Sequence, residues 1–417
     1  MKVGVAQIDI TPQQPAHMAG YAARTMRSTS TSDPLQAIAL AIDEVAIVAL
    51  DLIALSADDC ARIESAVATA GGPTTVLVHT THTHSGPVAT AAGLGQELDV
   101  SWLERVLEAV VRCVLSAAAS ARRALLQHGE ADPPGVAMNR RDSVGPVDAR
   151  LPVLRFTGQD GRIIATVVGY ACHPVILDAL NTSFSADYPG AVRRYISATT
   201  HAPTLFLTGC AGDAAAGQNA TGSFSLAPDL GRSTTEVERV GALLGRSAVR
   251  APLSEPRDGA VTAVSIPVQL SFDAPTHDQL RAEISQHETG LRTVSDKGEA
   301  AVLQCWSDWA HEQLHRPPAE DTWRCRVSVV ALADTRWAFL PGEPFAALGM
   351  AVRERTGAHL VSGYTDGVAG YVAPAHECGG YELLDAHRYY AMPGPFAPGS
   401  GEALVDAAIT ASRSLPG

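Results

Sequence analysis

The chain has 417 residues, enough for one large domain or two moderate ones, and a formal net charge of −13. Lysine and arginine form no run or stripe along it, so the composition argues against a nucleic-acid-binding or anionic-membrane surface. Hydrophobic residues make up 46% of the chain and aromatic residues only 5%, which is typical of a soluble α/β protein rather than a disordered one.

The predicted elements alternate between apolar strands and amphipathic helices. After a strand-like start we expect strands over residues 45–55, 75–79, 151–156, 163–172, 205–208, 261–272, 324–340 (one strand or two) and 359–362. We expect helices over residues 59–70, 101–126, 236–251, 279–313, 344–355 and 403–412. Polar motifs stand where apolar strands end, and open α/β sheets place their ligand sites at the carboxyl ends of strands. The pattern predicts a single mixed α/β domain over residues 1–417, with a central mixed sheet flanked by helices and a helical embellishment at 275–320.

The N-terminus and the cysteines indicate a cytoplasmic protein. The first residues, MKVGVAQIDITP, lack the apolar core of a signal peptide, and no later stretch is long and apolar enough to span a membrane. The 7 cysteines are scattered singly and form no CxxC pair, which favours reduced thiols and gives no support to a zinc ribbon. We therefore expect a cytoplasmic location, with neither a nucleic acid nor a membrane as partner.

The stretch VHTTHTHSGP, residues 78–87, places three histidines within six positions at the end of a buried strand. His82 and His84 stand at i and i+2, so on an extended segment their side chains share a face and can approach one site. Gly86 and Pro87 then force a turn, which keeps the two histidines at the mouth of a loop. Two interpretations follow: a zinc site, which needs converging neutral imidazoles, or a group of surface loop histidines.

Three further polar residues stand where predicted strands end or turn. His173 ends the apolar strand ATVVGYACHP, Glu343 lies at the strand-to-helix turn of WAFLPGEPF, and Tyr371 lies in the glycine-rich GVAGYVAP. Each has an ordinary structural explanation: a satisfied core histidine, an acid at a helix N-terminus, and a packing tyrosine. The set becomes specific only when the motifs are taken together.

Taken together, the motifs resemble those of the neutral/alkaline ceramidase family, in a divergent bacterial-type form. The matching stretches are DITP at 9–12, MAGY at 18–21, HTHSGP at 82–87, NR at 139–140, CHP at 172–174, SADYPG at 185–190, GD at 212–213, PGE at 341–343, GYV at 370–372 and YE at 381–382. The resemblance covers the family's N-terminal, catalytic domain and does not extend to the C-terminal immunoglobulin-like domain of other members. It implies one zinc ion per chain, with His84 beside a ligand set of His82, His173, Glu343 and Tyr371.

The chain departs from the family pattern at the nucleophile. Where the family has GD-x-S-P-N, this chain reads TGCAGDAAAGQN, with Ala215 at the serine position. Alanine offers neither a nucleophile nor a proton, so the expected nucleophile is a zinc-bound water, whose pKa falls to about 7. His84 or Asp213 would act as the general base. Cys210 is disfavoured as a substitute nucleophile, because a buried thiol without a basic neighbour is inert.

The resemblance also suggests how substrate is bound. Arg140 would bind a substrate carboxylate or stabilise an oxyanion, and Ala215 and Tyr381 would line the substrate site. The expected reaction is hydrolysis of an amide, lactam or ester bond in a small soluble molecule. A group of three tryptophans forms either a wall or lid of this site or the packing of the helical embellishment: Trp306, Trp309 and Trp323.

Two alternatives to hydrolysis stay open at this stage. Zinc could serve as a Lewis acid for a non-hydrolytic displacement, cyclisation or elimination in a biosynthetic pathway. The protein could also be a non-catalytic zinc-binding subunit. Retention of all four implied ligands favours a working metal site over the second alternative, but it does not separate the first from hydrolysis. The pattern leaves open whether the chain forms a homo-oligomer.

Overall fold

The computed structural model describes residues 1–90, 97–132, 134–219, 224–227, 229, 231–316 and 321–415. Its strands are β1 (Lys2–Asp9), β2 (Ser30–Thr31), β3 (Gln36–Ile42), β4 (Val45–Leu50), β5 (Thr75–Thr80), β6 (Arg122–Ala131), β7 (Met138–Asn139), β8 (Leu151–Gly158), β9 (Ile163–Tyr170), β10 (Ser183–Phe184), β11 (Thr204–Thr208), β12 (Ala214–Ala215), β13 (Val261–Ser271), β14 (Thr322–Leu332), β15 (Thr335–Phe339), β16 (Glu343–Pro344), β17 (Leu360–Ser362) and β18 (Tyr371–Val372). Its helices are α1 (Ala57–Thr69), α2 (Val100–Ala119), α3 (Asp187–Thr200), α4 (Thr234–Arg250), α5 (His277–Leu291), α6 (Lys297–His315), α7 (Ala346–Thr356), α8 (Tyr381–Leu384) and α9 (Ser400–Ser414), with a 3₁₀-helix at Ala386–Tyr390.

The largest sheet has eight strands in the order β11-β9-β8-β6-β1-β3-β4-β5. Strand β4 pairs with β5, and β9 with β11, in parallel, whereas the remaining neighbours are antiparallel. This arrangement confirms the predicted mixed α/β domain with a large central mixed sheet.

A second sheet of four strands, β13-β14-β15-β17, packs against one face of the first. The alternation of side chains along each strand produces this interface: Ile38 and Leu40 of β3 contribute to one core with Trp337 and Phe339 of β15, while the alanines between them face the other way. Helices α1 to α4 cover the outer face of the large sheet, and α7 and α9 cover the outer face of the small one. The sequence pattern predicts these strands but not their division between two sheets.

Two predicted helices have wrong bounds, and helix α3 and strand β3 are among the elements that lie outside the prediction. The helix expected over 279–313 is interrupted, since α5 ends at Leu291 and α6 begins at Lys297. The helix expected over 101–126 ends with α2 at Ala119, and residues 122–131 form β6 instead. The apolar helical period stops before this point, and the chain then pairs along β8, which overrides helical propensity. Strand β3 is rich in alanine, so its composition gives little strand signal.

Helices α5 and α6 form a hairpin in the region of the expected embellishment, of which residues 317–320 lie outside the described residues. A capping box of Thr276 and Gln279 begins α5. The hairpin lies against the chain around the 3₁₀-helix, where the indole nitrogen of Trp306 donates to the Tyr389 hydroxyl at 2.9 Å. Within the part of the chain that the structure describes, no helix has the length and apolar character needed to cross a bilayer.

Candidate metal centre

His79 is a core residue of β5. Its Nδ1 lies 3.1 Å from the carbonyl oxygen of Gly363, and its Nε2 accepts from the backbone N–H of Thr208 at 3.0 Å. Burial lowers the pKa of His79 to about 3, so the ring is neutral. Both of its nitrogens are used within the core, and His79 is not available as a ligand.

The loop after β5 holds His82 in an uncommon backbone conformation. His82 has a φ of 67°, in the left-handed region that residues other than glycine seldom adopt. Its N–H donates to the carbonyl oxygen of Leu52 at 2.9 Å, and the hydroxyl of Thr81 donates to Asp51 at 3.2 Å. Asp51 also forms a buried ion pair with Arg193, with an N–O distance of 2.6 Å. These surrounding contacts keep the loop in a conformation that it would not hold in isolation.

The rings of His82, His84 and His173 meet in the interior, with centroids 4.9, 5.0 and 5.9 Å apart. Their Nδ1 atoms lie 2.6, 3.0 and 2.5 Å from the carbonyl oxygens of Ile53, Gly20 and Ala211, respectively. Because a carbonyl only accepts, each Nδ1 carries the hydrogen and each Nε2 presents a lone pair. One ring nitrogen from each lies within 4.8 Å of the other two, so this buried cluster could hold a metal ion.

The electrostatics of the cluster suit a metal ligand set. Burial lowers the pKa of His173 to about 4 and that of His84 well below its ordinary value. Both imidazoles are therefore neutral at pH 7, the form in which histidine binds a metal.

Glu343 brings a negative charge to the same point from β16. Its Oε2 lies 3.0 Å from Nε2 of His82 and 2.9 Å from Nε2 of His173. Two nitrogen lone pairs and a carboxylate oxygen at these distances repel each other unless a positive charge lies among them. The residues present therefore fit a bound cation, and nitrogen and carboxylate donors suit zinc.

Tyr371 lies beside Glu343 because β16 and β18 pair in parallel with these two residues in register. Its ring stacks on that of His173 at 6.1 Å, and its oxygen accepts from Nη2 of Arg140 at 2.9 Å. Burial raises the pKa of the Tyr371 phenol, and the Arg140 guanidinium opposes that shift. Nε of Arg140 lies 3.0 Å from Oε1 of Glu382, so its charge is already paired inside the protein.

His84 is held differently from the other two imidazoles. Its Nε2, like that of His82, has no hydrogen-bond partner among the described residues, but unlike His82 and His173 it makes no close contact with Glu343. Gly20, whose carbonyl accepts from His84 Nδ1, has a φ of 102°, and a Cβ there would lie 2.5 Å from that nitrogen. Close packing against a glycine therefore fixes the orientation of His84.

Asp213 and Ala215 flank the centre. The two carboxylate oxygens of Asp213 accept from the N–H of Ala346, at the start of α7, at 2.7 Å and from the Asn139 amide at 2.9 Å. Asp213 thus connects Asn139, of the Asn-Arg motif, to the start of α7. Burial raises the pKa of the Asp213 carboxyl. Ala215 is fully buried and forms a β-bridge with His173, so this residue adjoins the cluster.

Tyr381 lies one aromatic ring away from the cluster. Its ring centroid is 6.1 Å from that of Tyr371, 5.4 Å from that of Phe224 and 5.9 Å from that of Tyr389. Trp306 joins the same aromatic group through Phe224 at 6.0 Å. Of the predicted site residues, the structure thus brings four together at one point: His82, His84, His173 and Glu343. Tyr371 and Arg140 adjoin these four. Asp213, Ala215 and Tyr381 lie around them.

Several residues of the centre lie outside the sequence prediction. The phenol of Tyr390 donates to Oε1 of Glu343, and the buried ring of Tyr364 lies 4.5 Å from that of His82. Gly20 and Glu382 stand in the MAGY and YE motifs, so a closer reading of those motifs would have pointed to them. No motif singles out Tyr364 or Tyr390, because their importance comes only from contacts made in the folded chain.

Comparison with known proteins bears on the fold. No family model and no curated protein sequence matches the chain. A crystal structure of neutral ceramidase from Pseudomonas aeruginosa matches it with a TM-score of 0.74 at 18% identity, over 100% of this chain and 75% of that one. The chain has the neutral ceramidase fold. A structure of a ceramidase complexed with C2 shares it with a TM-score of 0.73 at 16% identity, over 100% of this chain and 76% of the other. The resemblance seen in the motifs is confirmed at the level of the fold.

Proposed function

We propose that the protein is a zinc-dependent hydrolase that cleaves an amide, lactam or ester bond in a small soluble molecule. The observation that carries the proposal is the convergence of two imidazole nitrogens, from His82 and His173, on the carboxylate of Glu343, an arrangement that fits a bound cation. The fold supports hydrolysis, since the similar solved structures are ceramidases.

The proposed ligands of the zinc ion are His82, His173, Glu343 and Tyr371. When bound, zinc acts as a Lewis acid and lowers the pKa of a coordinated water to about 7. The N–H···O bonds from Nδ1 of both histidines to backbone carbonyls fix their tautomers and orient their Nε2 atoms toward the ion.

His84 is the residue that we assign to proton transfer. Its Nδ1–H is donated to Gly20, which leaves Nε2 as an acceptor beside the ligands. A neutral imidazole there can take a proton from the attacking water and return it to the leaving group. Asp213, the other candidate base, has both oxygens engaged by protein donors, so in this proposal it anchors the surrounding loops.

We assign to Arg140 the role of stabilising the negative charge that develops on the substrate during the reaction. It donates to the Tyr371 oxygen and lies against Glu382, so its position is set before substrate binds. A fixed guanidinium beside the metal centre stabilises an oxyanion without reorganisation. Ala215 and Tyr381 remain the proposed contacts for substrate. The proposed location of the enzyme is the cytoplasm.

Ala215 also favours a second candidate function. Because the position next to His173 offers no nucleophile, the same centre suits a non-hydrolytic displacement, cyclisation or elimination in which zinc polarises the substrate. A non-catalytic zinc-binding subunit is a weaker candidate, since the donor set is complete.

The test is a metal analysis joined to an activity panel. Zinc content is measured in the purified, chelator-stripped and reconstituted protein. Each preparation is then assayed on soluble N-acyl amino acids, lactams and cyclic imides, and on a short-chain ceramide in detergent. Zinc-dependent cleavage of a soluble compound supports the proposal, and cleavage of ceramide alone overturns the substrate class. A protein that is fully zinc-loaded yet inactive on every compound would favour the second candidate function.

A further inference from the structure

The inference concerns how the carboxylate of Glu343 is held, and it rests on the proposed metal site. The two oxygens of Glu343 have different surroundings. Oε2 faces Nε2 of His82 and of His173, at 3.0 and 2.9 Å, whereas Oε1 accepts the hydrogen bond of the Tyr390 phenol. A phenol hydroxyl carries a hydrogen to donate, whereas an ionised carboxylate oxygen only accepts, so Tyr390 is the donor and the carboxylate the acceptor.

We propose that Tyr390 is a positioning residue of the metal centre, which occupies one oxygen of Glu343 so that the carboxylate binds the ion through Oε2 alone. A carboxylate is free to bind a cation with one oxygen or with both. With one lone pair of Oε1 engaged by a phenol, the second mode is disfavoured, and the coordination position that it would take is left for water or substrate. The same hydrogen bond fixes the rotation of the carboxylate toward the two imidazoles.

Tyr390 is itself anchored by the helical hairpin α5–α6. It ends the 3₁₀-helix, and the next residue, Ala391, has a φ of 52°, which turns the chain sharply. On one side of Tyr390 the hydroxyl of Tyr389 accepts from Trp306 Nε1 at 2.9 Å. On the other side the carbonyl of Met392 accepts from Trp309 Nε1 at 2.8 Å.

Arg388 strengthens the same anchor. Its guanidinium lies 4.9 Å from the ring centroid of Trp306 and 5.0 Å from that of Trp309, and it is paired with Glu283 of α5 at 3.1 Å. The hairpin therefore contacts the Tyr389 hydroxyl on one side of Tyr390 and the backbone of Met392 on the other. This arrangement gives the hairpin a role in the metal centre, although it supplies none of the proposed ligands.

The experiment compares Tyr390→Phe with Tyr195→Phe in the 417-residue chain. Each variant is stripped of metal and titrated with zinc against a chromophoric chelator, and with cobalt(II), whose visible spectrum reports coordination number. Loss of the Tyr390 hydroxyl is expected to weaken zinc binding roughly 10- to 100-fold and to change the cobalt spectrum, as for other residues that orient metal ligands. Tyr195→Phe removes a hydroxyl on α3, where the ring packs against Gly245 and not against the metal centre, so zinc affinity and the cobalt spectrum should stay as in the wild type.

A second variant tests the anchor without touching Tyr390. Trp309→Phe removes the indole N–H that bonds Met392 and should give a zinc affinity between those of the wild type and Tyr390→Phe. Wild-type affinity and an unchanged cobalt spectrum in Tyr390→Phe would overturn this inference alone. A wild-type protein that binds neither zinc nor cobalt would overturn the proposed function, and this inference with it. Since binding is measured without turnover, an unidentified substrate does not affect the result.

Discussion

The Nε2 atom of His173 lies 2.9 Å from the Oε2 atom of Glu343, although the two residues are 170 positions apart in the chain. His173 follows β9 of the large sheet, and Glu343 belongs to β16, beyond the last long strand of the small sheet. The candidate centre is thus formed by segments from both sheets, and it exists only when they pack together.

Removing a proposed ligand of the centre should empty the metal site. We expect about one zinc ion per wild-type chain and almost none in His82→Ala or Glu343→Gln, because a site with a missing ligand or carboxylate charge binds zinc poorly. His311→Ala, in an exposed histidine of α6, is the matched control. Inductively coupled plasma mass spectrometry on gel-filtered protein measures the content. Full zinc retention in both site variants would refute the ligand assignment.

His84→Ala separates proton transfer from metal binding. We expect this variant to keep its zinc while kcat falls roughly 10²- to 10⁴-fold, the usual contribution of a positioned acid or base. The structure also permits His84 as a third histidine ligand, since its ring nitrogen lies within 4.8 Å of those of His82 and His173. Loss of zinc from His84→Ala would therefore assign it to the ligand set instead.

Gly20→Ala should disturb the same histidine indirectly. A methyl group at this position would lie 2.5 Å from Nδ1 of His84, so the ring must move and its bond to the Gly20 carbonyl must weaken. We expect kcat to fall toward that of His84→Ala, together with a stability loss of about 1–3 kcal/mol from the backbone strain.

Gly71→Ala is the control for that strain. Gly71 also has a positive φ, of 75°, but a methyl group there meets nothing within 4 Å. The Gly71→Ala variant should lose stability, measured by urea unfolding, and keep its activity, measured by steady-state kinetics. Equal losses of activity in the two glycine variants would show that strain, and not contact with His84, is responsible.

Asp187 should make stability fall as the pH rises. Burial raises the pKa of Asp187 to about 6, despite hydrogen bonds from the N–H groups of Leu177 and Tyr188. Between the unfolded pKa near 4 and the folded value, the unfolded chain ionises first, so this group's contribution is favourable below about pH 4 and is lost by about pH 6. A difference of about two pKa units corresponds to roughly 3 kcal/mol.

Asp187→Asn removes this titration. One backbone N–H loses its acceptor, so the variant should be less stable than the wild type at pH 4. As the pH rises to 6.5 the wild type should lose roughly 3 kcal/mol of unfolding free energy that the variant keeps, so the gap between them changes by that amount in the variant's favour. Urea unfolding at several pH values gives the comparison. A difference that is constant with pH would mean that Asp187 is already ionised in the folded protein at pH 4.

Cys210 should prove inert. It is buried, and burial raises the pKa of its thiol well above the ordinary value, so little thiolate exists at neutral pH. Cys210→Ala should keep its turnover at a stability cost of about 1 kcal/mol. Iodoacetamide should label the exposed Cys378 without inactivating the enzyme, which peptide mass spectrometry and an assay of the labelled protein can show. A Cys210→Ala variant that is folded, zinc-loaded and inactive would instead make this thiol the nucleophile.

The sequence by itself determined much of the local structure and the composition of the centre. Period-2 and period-3.6 patterns predict most of the long strands and helices, because burial of one face imposes those periods. The strand-end positions of His82 and His173, and the motifs around Glu343 and Tyr371, identify the polar residues that converge. His79 stands in the same histidine-rich stretch, but it belongs to the buried strand β5, and its side chain is part of the core and not of the metal centre.

Only the tertiary structure decided how those residues are held. Strand periodicity says which face of a strand is buried but not which strands share a sheet, so the second sheet and the meeting of β9 with β16 could not be predicted. The role of Gly20 depends on packing so close that a Cβ there would lie 2.5 Å from His84 Nδ1, and the role of Tyr390 depends on one hydrogen bond between distant segments. The MAGY motif marks Gly20 but not the contact it makes, and no local pattern marks Tyr390, because neither partner constrains the residues next to it. Ala215 shows the converse: the sequence motif singles out this position, and only the bridge to His173 shows that it lies beside the proposed metal ligands.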